Sequence, residues 1–109
     1  MGTFEEVADV YRIIRSTKYT FLSNDLVDAA VRYARIRTDW MLSSPEQRRE
    51  LDDNRSRAHT AFIECCDVLS RNMAEVGEDN SWRDQIGGDR KTLGDFACHL
   101  HCLLGVMAR

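Results

Sequence analysis

The densest set of metal-donor side chains in the chain is Cys98-His99-Leu100-His101-Cys102. Thiolate and imidazole are donors that zinc favours, and Cys98 and Cys102, one turn apart, project from one helix face. A closed site takes four ligands, so His101 and a residue from another helix, His59 or Cys66, would have to complete it. No Cys-x-x-Cys knuckle accompanies the group, and Cys66 reads as core. The competing reading makes the thiols small packing residues and the histidines polar edge residues. Little bound zinc is expected, and no cofactor.

A second group, Gly87-Gly88-Asp89-Arg90-Lys91-Thr92, has the glycines and cations of a phosphate loop but not its order. The P-loop places four residues between its glycine and a Gly-Lys-Ser/Thr triplet and follows a strand, and none is available here. What survives is an anion site at Gly87, Gly88, Arg90 and Lys91, where a glycine turn feeds the exposed N–H groups of a helix start. An ordinary helix–helix turn with solvated charges is the alternative. A third pair, Arg55 and His59, has three residues between its members. That is one short of the arginine–histidine spacing of a class of ribonucleases, and it leaves a nucleic-acid enzyme or binder as a minor expectation.

Acidic residues gather at Glu5-Glu6, at Glu50 with Asp52-Asp53, and at Glu78-Asp79. The outer groups lie by helix ends and the middle one early in a helix, where carboxylates favour the dipole. No Glu-x-x-His occurs, so no di-metal bundle site is expected. No sharp turn presents a serine or cysteine beside a histidine. Arginines are numerous, but acids interleave with them and they read as salt-bridged faces.

These groups must be positioned by helices. Pro45 to Val76 reads as one long amphipathic helix. Ser44 and Gln47 form a capping box, Pro45 takes the first helical position, and Gly77 marks the stop. Leu51, Ala58, Phe62, Cys65, Leu69, Met73 and Val76 recur at steps of three, four and seven. At ~1.5 Å per residue the helix is ~48 Å long, the spine of a small protein. Thr3 and Glu6 cap a first helix from Phe4, which no breaker interrupts before Leu22. Ser23-Asn24-Asp25 then caps a second helix to about Leu42. A short turn from Trp82 to Ile86 and a last helix from Arg90 to about Met107, capped by Asp89, complete the chain. The expected architecture is an all-α, up-and-down bundle of three to four helices in a single domain, residues 1–109.

The second helix has two apolar stripes. Val27, Ala30, Val31, Ala34, Thr38 and Met41 line one; Leu26, Ala29, Tyr33, Ile36 and Trp40 line the other. Arg37 stands between them on one side, with Arg32, Arg35 and Asp28 on the opposite side. The last helix also carries a small-residue side at Gly94, Cys98, His101, Cys102 and Gly105. A chain of 109 residues buries only about 60–70% of its unfolded surface. Two stripes on each of two helices therefore point to a second subunit. The leading expectation is a non-catalytic, self-associating interaction module, a homodimer with Leu26, Tyr33, Ile36 and Trp40 at its interface. The alternative is a metal- or anion-binding regulator using the Cys98–Cys102 group or the Gly87–Lys91 turn.

Composition agrees with a folded domain: 43% hydrophobic, 30% charged, one proline and six glycines. Net charge is −3, so no global field attracts nucleic acid or anionic lipid. No apolar run reaches the ~20 residues of a membrane span. The Met1-Gly2-Thr3-Phe4-Glu5-Glu6 start lacks a secretory pattern and has Glu6 where a myristoylation motif wants Ser or Thr. The adjacent Cys65-Cys66 pair and the one-turn Cys98–Cys102 pair suit reduced thiols, hence a cytoplasmic setting.

Overall fold

A computed structural model describes residues 3–108; the Met1-Gly2 start lies outside them. The chain is 84% helical and, among the described residues, has no strand. Its helices are α1 (Phe4–Ser16), α2 (Thr20–Leu42), α3 (Pro45–Glu75), α4 (Trp82–Gln85) and α5 (Arg90–Met107). α1, α2, α3 and α5 pack as an all-α bundle, and α4 is a single turn. No helix among the described residues is long and apolar enough to cross a membrane.

The spine forms for the local reasons its sequence contains. The Ser44 hydroxyl accepts from the Gln47 N–H at 3.3 Å, and the Gln47 side chain accepts from the Ser44 N–H at 3.1 Å. At the other end Gly77 adopts φ +76°, the left-handed conformation that glycine takes without strain. The Glu78 N–H then reaches the Met73 carbonyl at 2.9 Å and the Gly77 N–H that of Ala74 at 3.2 Å, a Schellman stop. Thirty-one residues at ~1.5 Å each give ~46 Å, which matches the molecule's longest dimension of 47 Å.

The first helix ends earlier than expected. α1 stops at Ser16 and α2 begins at Thr20, so Thr20-Phe21-Leu22 belong to α2, and Ser23-Asn24-Asp25 do not cap a helix. The break is held from a distance. Glu78, in the loop after the spine, accepts from the Thr17 hydroxyl at 2.6 Å and from the Lys18 N–H at 3.0 Å. The Thr17 hydroxyl also accepts from the Tyr19 N–H at 3.2 Å, closing the turn locally. Ser23 is instead buried beside Arg15, which donates to its hydroxyl.

The core runs through all the long helices: Val7, Val10 and Ile14 of α1, Leu26, Ala30 and Tyr33 of α2, Phe62, Leu69 and Met73 of α3, and Leu93, Phe96 and Leu100 of α5. α2 packs along α3 and also against α5 and α1, so both of its stripes find cover within the chain except at Thr38 and Met41, which are exposed. Leu26 and Tyr33, expected at an exposed interface, are 0% and 2% exposed, and the four-residue apolar patch does not form. Chain length alone allots each helix one covered stripe, whereas α2 is enclosed by three neighbours.

After the spine the chain turns back and retraces it. Asn80 donates to the Ser70 carbonyl at 3.2 Å, Arg83 pairs with Asp67 at 2.8 Å, and Arg90 donates to Thr60 at 3.3 Å. Trp82 and Ile86, both fully buried, seat α4 along this path. Asp89 accepts from the Thr92 N–H at 2.7 Å and starts α5 beside the middle of α3.

A cationic cleft between three helices

The retracing path brings the start of α5 to His59. The imidazole Nε2 lies 2.6 Å from the Arg90 carbonyl oxygen. A carbonyl only accepts, so Nε2 carries the hydrogen and Nδ1 is left as an acceptor. Burial holds the His59 pKa below its ordinary value of 6.5; the bond to Arg90 opposes this, and the charges of Arg90, Arg55 and Arg37 add to it. The ring is therefore neutral at pH 7. It stacks against Tyr33 with centroids 4.5 Å apart and planes tilted by 34°. Both rings fit because position 94 is glycine. A Cβ there would stand 2.8 Å from the Tyr33 hydroxyl oxygen and 3.2 Å from the His59 Nε2.

Tyr33 and His59 border an open cleft of about 350 Å³, the scale of a small-molecule site. α2 contributes Arg37 and Trp40, α3 contributes Arg55 and Ser56, and α5 contributes Arg90 and Lys91. Four cations thus meet in one concavity, and among the described residues no acidic side chain lines it. Two of them are held from behind by carboxylates: Arg37 by Asp95 at 3.0 Å, Arg55 by Asp52 at 2.7 Å. The Arg90 guanidinium donates to Thr60 and to the Ser56 carbonyl, and Lys91 makes no ion pair among the described residues.

Trp40 sits at the junction of α2 and α3. The guanidinium carbons of Arg48 and Arg55 lie 4.8 and 4.7 Å from its ring centroid. Arg48 also donates to the Trp40 and Met41 carbonyls at 3.0 and 2.9 Å, satisfying the end of α2. The indole Nε1 and the Arg55 Nε are buried without partners among the described residues, an arrangement that costs on the order of 1–3 kcal/mol per group.

The candidate metal ligands are not brought together. Cys98 faces Arg37, whose guanidinium lies 3.7 Å from the sulfur, while Cys102 is exposed and borders a small apolar cavity with Phe4 and Val7. His59 is engaged by the Arg90 carbonyl, and His101 is half-buried. Among the described residues no three His, Cys, Asp or Glu side chains gather. All four cysteines are free; burial pushes the Cys65, Cys66 and Cys98 thiols up, away from the reactive thiolate.

Of the expected anion site, Arg90 and Lys91 line the cleft, whereas the Gly87 carbonyl is turned to Arg83 and neither glycine borders the concavity. Arg55 and His59 line the same cleft. Two separate weak signals of the sequence are one place in space. Ile36 is half-buried, and Trp40, expected at a dimer interface, belongs to the cleft wall. Arg37 also lines the cleft, and its one trace in the sequence is a lone cation between two apolar stripes.

The buried, neutral histidine makes stability pH-dependent in a defined window. Below pH 6.5 the unfolded chain protonates His59 while the folded chain resists, so its contribution is full above 6.5 and declines as pH falls toward the lowered folded value. The carboxylates held low in the fold, Glu78, Asp79 and Asp89, respond only at more acidic pH. Urea midpoints should therefore drop between pH 7.5 and 5.5, and drop less in His59→Gln.

The fold and the cleft together define an all-α bundle with a built cationic site. No protein-family model, no curated protein and no solved structure matches the chain.

Proposed function

We propose that the protein is a non-catalytic binding module whose ligand is an oxyanion, held in the cleft between α2, α3 and α5. One observation carries this reading: four cations from three helices converge on a concavity that no carboxylate lines among the described residues, in a chain whose net charge is −3. Arg90 and Lys91, which make no ion pair among the described residues, repel each other, and a bound anion relieves that repulsion. Guanidinium groups already oriented by Asp95 and Asp52 are preorganised donors for phosphate or carboxylate oxygens. The four reduced thiols support a cytoplasmic setting.

Isothermal titration calorimetry with inorganic phosphate and with pyrophosphate, at low ionic strength, tests the reading. Both anions should bind, pyrophosphate more tightly. Lys91→Gln, at an exposed position with no ion pair to break among the described residues, should weaken binding about tenfold, a loss of ~1.4 kcal/mol. Absence of binding by either anion would refute the proposal.

Self-association is the second reading, and its support is moved from the cleft side of α2 to the helix ends. Phe21, Met41 and Leu42 remain exposed, Phe21 and Leu42 by more than 80%. Light scattering behind a sizing column on wild type and on Met41→Glu with Leu42→Glu decides it.

A further inference from the structure

We propose that the ligand is a small hydroxylated phosphomonoester, of the sugar-phosphate class, and not a nucleotide. The inference rests on the oxyanion reading and narrows it through charge, through the floor of the cleft and through its aromatic rings.

Charge selects a dianion. Arg37 and Arg55 are each neutralised by an aspartate, Asp95 and Asp52. Arg90 and Lys91 make no ion pair among the described residues, and although Asp89 acts on Lys91 through space, the cleft keeps a positive excess for the ligand. A phosphomonoester carries about −1.5 to −2 at pH 7, whereas a carboxylate, a phosphodiester or a sulfate ester carries one negative charge. The cleft, at about 350 Å³, also has room beyond a phosphate group.

The floor selects hydroxyl groups. Tyr33 and His59 are 2% and 5% exposed, and each has a polar atom that makes no hydrogen bond with the described residues: the phenol oxygen and the imidazole Nδ1. Both side chains border the cleft. The phenol donates or accepts and the neutral Nδ1 only accepts, a pair that suits a ligand hydroxyl able to donate and accept in turn. Neither atom is sealed from solvent as Trp40 Nε1 and Arg55 Nε are, so a polyol hydroxyl can take the place of water at both.

The aromatic rings reject a base. Stacking on an aromatic face is the sequence-tolerant way to hold a nucleobase. Here the Trp40 ring is taken by the guanidinium groups of Arg48 and Arg55, and the Tyr33 ring lies against His59 in the interior. Neither offers an adenine or guanine an open platform.

The test is calorimetry on the full chain at pH 7.5 with four probes: glucose 6-phosphate, glucose 6-sulfate, inorganic phosphate and adenosine monophosphate. Glucose 6-phosphate should bind about tenfold tighter than glucose 6-sulfate and than inorganic phosphate, and adenosine monophosphate no tighter than glucose 6-phosphate. Tyr33→Phe, which keeps the ring and removes the hydroxyl, should shrink the advantage of glucose 6-phosphate over inorganic phosphate about 3- to 10-fold. Circular dichroism confirms that the variant folds; if it does not, the four wild-type affinities decide alone. Equal binding of the phosphate and sulfate esters overturns the dianion, and equal binding of sugar phosphate and inorganic phosphate overturns the hydroxyl floor. Adenosine monophosphate binding tenfold tighter than glucose 6-phosphate overturns the exclusion of a base. In each of these outcomes the oxyanion reading stands; if no probe binds, both fall.

Discussion

Phe62→Ala is expected to lower the free energy of unfolding by about 3–5 kcal/mol, read as a loss in the urea midpoint at pH 7.5. The ring is completely buried at the middle of the spine, with its centroid 6.3 Å from that of Phe96 on α5. This is the crossing at which α3 and α5 share the core, so truncation leaves a cavity that neither helix can close without moving the other. A domain of this size has only about 5–15 kcal/mol in total, so the loss is a large fraction of it. Phe62→Leu, which keeps most of the volume, should cost far less. A loss under ~1 kcal/mol for the alanine variant would mean that the crossing is not packed as described.

Trp82→Ala should cost a similar ~3–5 kcal/mol and should also weaken anion binding. The indole is fully buried and its Nε1 lies 3.4 Å from the Met73 sulfur, close to the C-terminal end of the spine. α4 has four residues and no side-chain cap, so its place depends on this ring and on Ile86. The chain between Trp82 and Arg90 is what delivers Arg90 and Lys91 to His59. Loosening it lets two of the four cations drift from the cleft while Arg37 and Arg55, on α2 and α3, stay. Calorimetry with phosphate on the alanine and phenylalanine variants checks this: binding should weaken in the former and be largely retained in the latter.

What could be read from the chain alone divides by range. The spine was legible to within a residue because its signals are local: Ser44, Pro45 and Gln47 act on the same turn, and Gly77 supplies the left-handed stop. Asp89 and Thr3 likewise cap the helices they precede. The break at Thr17–Tyr19 was not legible, because the carboxylate that holds it is Glu78, about sixty residues away. The apolar character of Leu26 and Tyr33 was plain, but periodicity does not say which neighbour covers a stripe. That required the positions of α3 and α5.

The cleft was legible only in fragments. Arg55 with His59, and Arg90 with Lys91, each stood out as a weak pair. Their meeting depends on the retracing of α3 by Asn80, Arg83 and Arg90, a path set by side-chain contacts and not by any local pattern. Gly94 looked like part of a face for a second subunit, and its small size instead admits Tyr33 and His59 from the same chain.

The most direct measurement is an amide ¹H–¹⁵N correlation titration of the isotope-labelled chain with inorganic phosphate at low ionic strength. The account predicts saturable shifts concentrated at Tyr33–Trp40, Arg55–His59 and Arg90–Gly94, with the far ends of α1 and α5 still. Shifts absent, linear without saturation, or scattered over the arginines outside the cleft such as Arg12 and Arg71 would contradict it.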